Sequence, residues 1–85
     1  MAPSDDEFFD LISQEALIDR DKLSRSATLS DIGIDSVDVV TVVFAAEEKW
    51  GIEVPEKAFD GVSDLGGFID ILKGLVEKRE QAPAS

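Results

Sequence analysis

The chain has 85 residues, 44% of them hydrophobic, with no cysteine, no histidine and a formal net charge of −11 from nineteen acids against eight bases. That length suits one domain with a thin core, burying roughly 60–65% of its unfolded surface, and the absence of cysteine excludes disulfide support for it. The charge opposes binding to nucleic acid or anionic membranes, which needs clustered Lys or Arg, and favours partners with basic patches.

In chain order, the first helix is expected over residues 4–18. Ser4-Asp5-Asp6-Glu7 forms a capping-box pattern, and Phe8, Leu11, Ile12 and Ala16 or Ile18 supply a periodic apolar face. The N-terminus is acidic where a secretory signal would be basic and then apolar, and no apolar run is long enough to span a bilayer. A cytoplasmic location is therefore expected. Residues 19–35 read as a long polar connection, with Leu23, Leu29, Ile32 and Ile34 tacking it to the core.

The connection ends in the most informative stretch, Asp31-Ile32-Gly33-Ile34-Asp35-Ser36-Val37-Asp38. A glycine turn here delivers Ser36, flanked by carboxylates, to the first turn of a second helix expected over 36–50. Helix N-termini expose unpaired N–H groups and the positive end of the macrodipole, so a phosphate on Ser36 would meet donors and a favourable field. Taken alone, Asp35 or Ser36 also reads as a plain N-cap. Within this helix Val40, Val43 and Trp50 are the expected core. Steps of three and four from Val37 reach Thr41, Phe44 and Glu48 on the opposite side. There Phe44 is an apolar anchor among Asp38, Glu47 and Glu48 if it lies outward and core if it lies inward, and periodicity alone favours core.

Gly51 is placed to close the second helix in a left-handed conformation. Ile52 and Val54 then alternate with Glu53 in an extended link. Residues 55–61 fit a short helix started by Pro55, anchored by Phe59 and ended by Gly61. The last helix is capped by Ser63 or Asp64 and carries Leu65, Phe68, Ile69, Leu72 and Leu75 or Val76 at helical spacing. Gly66, Gly67 and Gly74 weaken it, each by up to roughly 1 kcal/mol relative to Ala. Residues 1–80 form the single expected domain, and 81–85 are expected to fray. The fold class is all-α: a small four-helix bundle with three longer helices, a short third one and a long loop between the first two.

Acidity is concentrated around Ser36. Residues 31–64 hold nine acids against two lysines, −7 of the −11, a field that steers basic partners. Without His or Cys the chain lacks the usual nucleophile–base pairs and soft metal ligands, so neither catalysis nor a metal site is expected. A calcium loop counted from Asp31 fails, since Ser36 occupies the sixth position, where glycine is needed, and Val42 the twelfth, where glutamate is needed.

The octet around Ser36, with Glu47-Glu48 and Trp50-Gly51-Ile52-Glu53-Val54-Pro55 after it, resembles the prosthetic-group site and second helix of acyl carrier proteins. The resemblance spans nearly the full chain and extends to the bundle architecture. It implies a freestanding carrier, not an enzyme, in which Ser36 receives 4′-phosphopantetheine from a transferase using coenzyme A, Asp35 flanks the site for transferase recognition, and acyl groups ride as thioesters on the arm's thiol. It also implies that Val37, Asp38, Thr41, Phe44, Glu47 and Glu48 meet partner enzymes. A monomer serving fatty-acid, specialised lipid or polyketide biosynthesis is expected. Thr41, Ala46 and Lys49 depart from the fatty-acid pattern, as a carrier dedicated to one pathway would, and Ile34-Asp35-Ser36 argues against a peptidyl carrier. Val40, Val43, Phe59, Val62 and Ile69 are candidate lining for a sheltered acyl chain, with Ala46 leaving room. The rival class is an acidic helical adaptor without carrier function, in which Ser36→Ala would be silent.

Overall fold

The computed structural model describes residues 3–55 and 57–81, with side chains through Arg79. Helix α1 (Asp5–Ala16) begins at the expected capping box: the Ser4 hydroxyl accepts from the Glu7 N–H, and the Glu7 carboxylate accepts from the Ser4 N–H. It stops at Ala16 rather than reaching Ile18, because Leu17 turns left-handed at φ 58°. There the Ser13 carbonyl accepts from the Ile18 N–H, and the Ser13 hydroxyl donates to the Ile18 carbonyl at 2.6 Å. Phe8, Phe9, Leu11 and Ile12 put the apolar face of α1 in the core.

The long connection is ordered by contacts at both ends. A 3₁₀ turn at Arg20–Lys22, which no sequence pattern announced, turns Arg20 back to Asp6 and Asp10 at 2.8 and 3.2 Å and over the Phe9 ring at 4.7 Å. Leu23 is buried, and Leu29, Ile32 and Ile34 pack partly buried against the core, so the expected tacks hold. Residues 25–29 pair with the start of helix α3 (Leu65–Gln81). The Leu65 and Gly66 N–H groups donate to the Ala27 and Arg25 carbonyls, both at 2.9 Å, and the Leu29 N–H donates to the Ser63 carbonyl at 3.1 Å. Asp64 accepts from the Gly67 N–H at 2.8 Å. Three orphan donors of a helix N-terminus are thereby satisfied.

Helix α2 (Ser36–Trp50) packs on α1, with Phe8 against Trp50 at 4.6 Å between ring centroids. Its buried residues are Val42 and Ala46, which corrects the expected core face. Val40 is 49% exposed, while Val43 and Trp50 are only partly buried. Apolar side chains surround most of this helix, so periodicity could not choose the face that α1 covers. Gly51 closes α2 at φ 63°, as expected.

The expected short third helix is the other correction. Residues 57–61 form successive turns, held by i→i+3 bonds from the Ala58, Asp60 and Val62 N–H groups to the Pro55, Lys57 and Phe59 carbonyls; Glu56 lies outside the described residues. Proline, without an N–H, and Gly61 at φ 81° bracket a stretch too short to repay the nucleation of an α-helix. Phe59 still anchors it, 4.6 Å from Phe68. The fold is therefore all-α, with three α-helices and no strand among the described residues; Thr28 and Asp64 form one isolated bridge. Helix α3 contributes Leu65, Phe68, Ile69, Leu72 and Val76 to the core. It extends to Gln81, and the rest of the expected frayed tail, 82–85, lies outside the described residues.

The glycines of α3 differ in consequence. A Cβ on Gly66 would sit 3.0 Å from the Arg25 carbonyl, whereas one on Gly74 would meet open space. Gly74→Ala should raise stability by up to about 1 kcal/mol and Gly66→Ala should lower it, as urea denaturation of each variant will show.

Asp5 is held by Lys73 and by Arg25 at 3.1 Å, and Arg25 also binds Asp70 at 2.7 Å. The Lys73 hydrogen bond, opposed by partial loss of hydration and reinforced by Arg25, lowers the Asp5 carboxyl below the usual carboxylate range. The stability linked to this depressed group is complete above the ordinary carboxylate value and is lost as pH falls through the folded value. Asp5→Asn should thus melt below wild type at neutral pH, with a gap that closes in acid in a thermal-melt series.

Candidate functional site

Ser36 is the first residue of α2 and is exposed. Gly33, at φ 77°, takes a backbone conformation that other residues rarely adopt, and the turn around it is built from Asp31 N–H to Thr28 Oγ1 at 3.1 Å and Ile34 N–H to Leu29 O at 2.9 Å. Asp35 is the N-cap. Its Oδ1 accepts from the Asp38 N–H at 2.9 Å, and Asp38 Oδ2 accepts from the Asp35 N–H at 3.4 Å. Both flanking carboxylates are therefore turned onto the backbone in a capping box. The Ser36 and Val37 N–H groups have no acceptor among the described residues. This start differs from that of α3, whose first N–H groups are taken by loop carbonyls.

Along the outward side of α2, Val37 is 70% and Phe44 62% exposed, and Thr41 and Glu48 are exposed with them. The Thr41 hydroxyl donates to the Val37 carbonyl at 3.1 Å, which turns it back on its own helix. Asp38 and Glu47 stand apart from this stripe. Both are half-buried, Asp38 in the capping box and Glu47 accepting from the Val54 N–H at 2.9 Å.

A cavity of about 300 Å³ opens beside α2, lined by Val39, Val40, Val43, Phe44, Glu47, Val54, Pro55 and Phe59. Three of the expected lining residues, Val40, Val43 and Phe59, are in it. Ile69 is instead fully buried in the core, Val62 packs against the core, and Ala46 is itself a buried core residue. Sequence reasoning missed Val39, Phe44, Glu47, Val54 and Pro55 as lining. The alternation of Ile52 and Val54 was the available signal, since it marked the link as having an inward side.

Residues 5–72 match the family described as "Phosphopantetheine attachment site". The chain is also 31% identical over 70 residues to the "Acyl carrier protein" of Clostridium acetobutylicum, covering 81% of this chain and 91% of that relative. The chain belongs to the acyl carrier protein family. It is a carrier and not an enzyme, and its cofactor is covalently attached 4′-phosphopantetheine.

The start of α2 fits that group. A phosphodiester needs a reachable hydroxyl and donors for its oxygens, and here an exposed serine stands at a helix N-terminus beside two open N–H groups. When bound, the arm supplies a terminal thiol for acyl groups. No described helix is long and apolar enough to cross a membrane.

Because Asp35 caps α2 directly below Ser36, Asp35→Ala should cost about 1 kcal/mol, with Asp35→Asn retaining most of the stability. Chemical denaturation of the two variants checks this.

Proposed function

We propose that Ser36 is the residue that carries the arm, and that the chain is a freestanding carrier of acyl intermediates held as thioesters. The observation that carries the proposal is the exposed Ser36 hydroxyl at the start of α2, beside unpaired N–H groups. In loading, Ser36 Oγ gives its proton to a base of the transferase and bonds to the phosphorus of the phosphopantetheine moiety of coenzyme A. The bond from that phosphorus to the adenosine bisphosphate breaks, and the bisphosphate leaves. Asp35 acts beside it in recognition by the transferase, as the residue that holds the turn.

The partner face is the stripe of Val37, Thr41, Phe44 and Glu48, flanked by Asp38 and Glu47. Its exposed Phe44 supplies an apolar anchor, and the surrounding acids supply steering toward basic patches on the transferase and acyl-processing enzymes. The neutral Thr41 supports service in one dedicated pathway, polyketide or specialised lipid, ahead of general fatty-acid synthesis. The net charge of −11 supports a monomer.

The deciding experiment is intact mass after incubation with coenzyme A and a broad-specificity phosphopantetheinyl transferase. One phosphopantetheine is expected on wild type and none on Ser36→Ala, with both folded by circular dichroism. An unmodified, folded wild type, with a transferase proven active on another carrier, would return the chain to the acidic adaptor class.

A further inference from the structure

The cavity beside α2 has one charged member in an otherwise apolar lining, Glu47. Its Oε2 accepts the Val54 N–H at 2.9 Å, so the carboxylate is tethered between α2 and the 52–55 link instead of being free to swing into water. Among the described residues that N–H is its one hydrogen-bond donor. A carboxylate has about four lone-pair sites, so most of its acceptor capacity stays open.

Any chain that enters this cavity must displace water from beside Glu47. An alkyl chain takes hydration away and returns no donor, which leaves the carboxylate poorly satisfied. A chain bearing a hydroxyl returns a donor to it, and hydrogen bonds to ionised acceptors are the stronger kind. The Val54 tether sharpens the choice, because the carboxylate cannot leave the wall without orphaning a half-buried backbone N–H.

We propose that Glu47 selects what the cavity takes: a chain bearing a hydrogen-bond donor, of the hydroxylated class, in preference to an unsubstituted alkyl chain, which rests on the carrier reading for making that chain the protein's own cargo. Glu47 is in this sense a specificity-determining residue, and Val54 positions it. The preference is a property of the unloaded protein and can be read there.

The test titrates the unloaded full chain with hexan-1-ol and with its isomer dipropyl ether, which has the same atoms but no donor, following the backbone amides of Val43 and Val54 by NMR. Hexan-1-ol should bind wild type about tenfold more tightly than the ether. Glu47→Leu should bring the ratio close to one and speed exchange of the Val54 amide. Glu47→Gln, whose amide oxygen still accepts from Val54, should keep that exchange slow and show a ratio between the two. Equal or reversed affinities in wild type, binding of neither probe, or a wild-type ratio in Glu47→Leu would each overturn the proposal. If Glu47→Leu does not fold, the Glu47→Gln ratio decides, and a value unchanged from wild type counts against it. Failure of Ser36 to accept the arm, with the alcohol preference intact, would overturn the carrier reading and leave this one standing.

Discussion

Backbone pairing between residues 25–29 and the start of α3 is the constraint on which the placement of Ser36 depends. The carbonyls of Arg25 and Ala27 cap α3, so the loop cannot leave without orphaning helical donors. The same residue ties the loop to two helices through its guanidinium, which reaches Asp5 on α1 and Asp70 on α3. Exposed ion pairs of this kind are individually weak, but here they act beside backbone bonds and the burial of Leu23. Gly66 makes the approach possible by presenting no Cβ at the point where the Arg25 carbonyl arrives. From this anchored stretch the chain needs only the Gly33 turn to deliver Asp35 and Ser36 to the head of α2.

Helix α2 carries more apolar surface than the core covers. Val42 and Ala46 are spent on packing against the rest of the fold, yet Val37, Val40 and Phe44 remain exposed, and Val39 and Val43 border the cavity. A helix needed only for stability would be polar on its outward face. The surplus gives α2 three surfaces at once: core, cavity wall and an outward stripe below Ser36. Acidic residues around that stripe keep an apolar surface in water.

The two helix N-termini show how one kind of local chemistry is put to different ends. At α3 the loop and Asp64 occupy the first donors, which makes that terminus a structural joint. At α2 the capping box between Asp35 and Asp38 satisfies the deeper position and leaves the outermost N–H groups open beside an exposed hydroxyl. The carboxylates that sequence alone marks as flanking charges are thus part of the support of the site. Glu47 undergoes a similar change of role, from a member of an acidic face to a strut between α2 and the link that follows it.

Local signals were enough to mark the three α-helices and the candidate serine. Capping boxes at Ser4 and Asp35, the left-handed stop at Gly51 and the helical spacing of α3 are written in neighbouring residues, and so is the site octet around Ser36. What the tertiary structure alone decided lies where local signals are degenerate. A helix apolar nearly all round does not say which face is core: Val42 and Ala46 are its buried residues, Val43 and Trp50 pack partly buried against the core, and Val40 is exposed. The stretch after Pro55 has helix-start and helix-stop residues, but i→i+3 turns prevail because its length cannot sustain more. The cavity, and the tether of Glu47 to Val54, join segments whose proximity depends on how the 52–55 link packs, which is a property of the assembled core and not of any one segment.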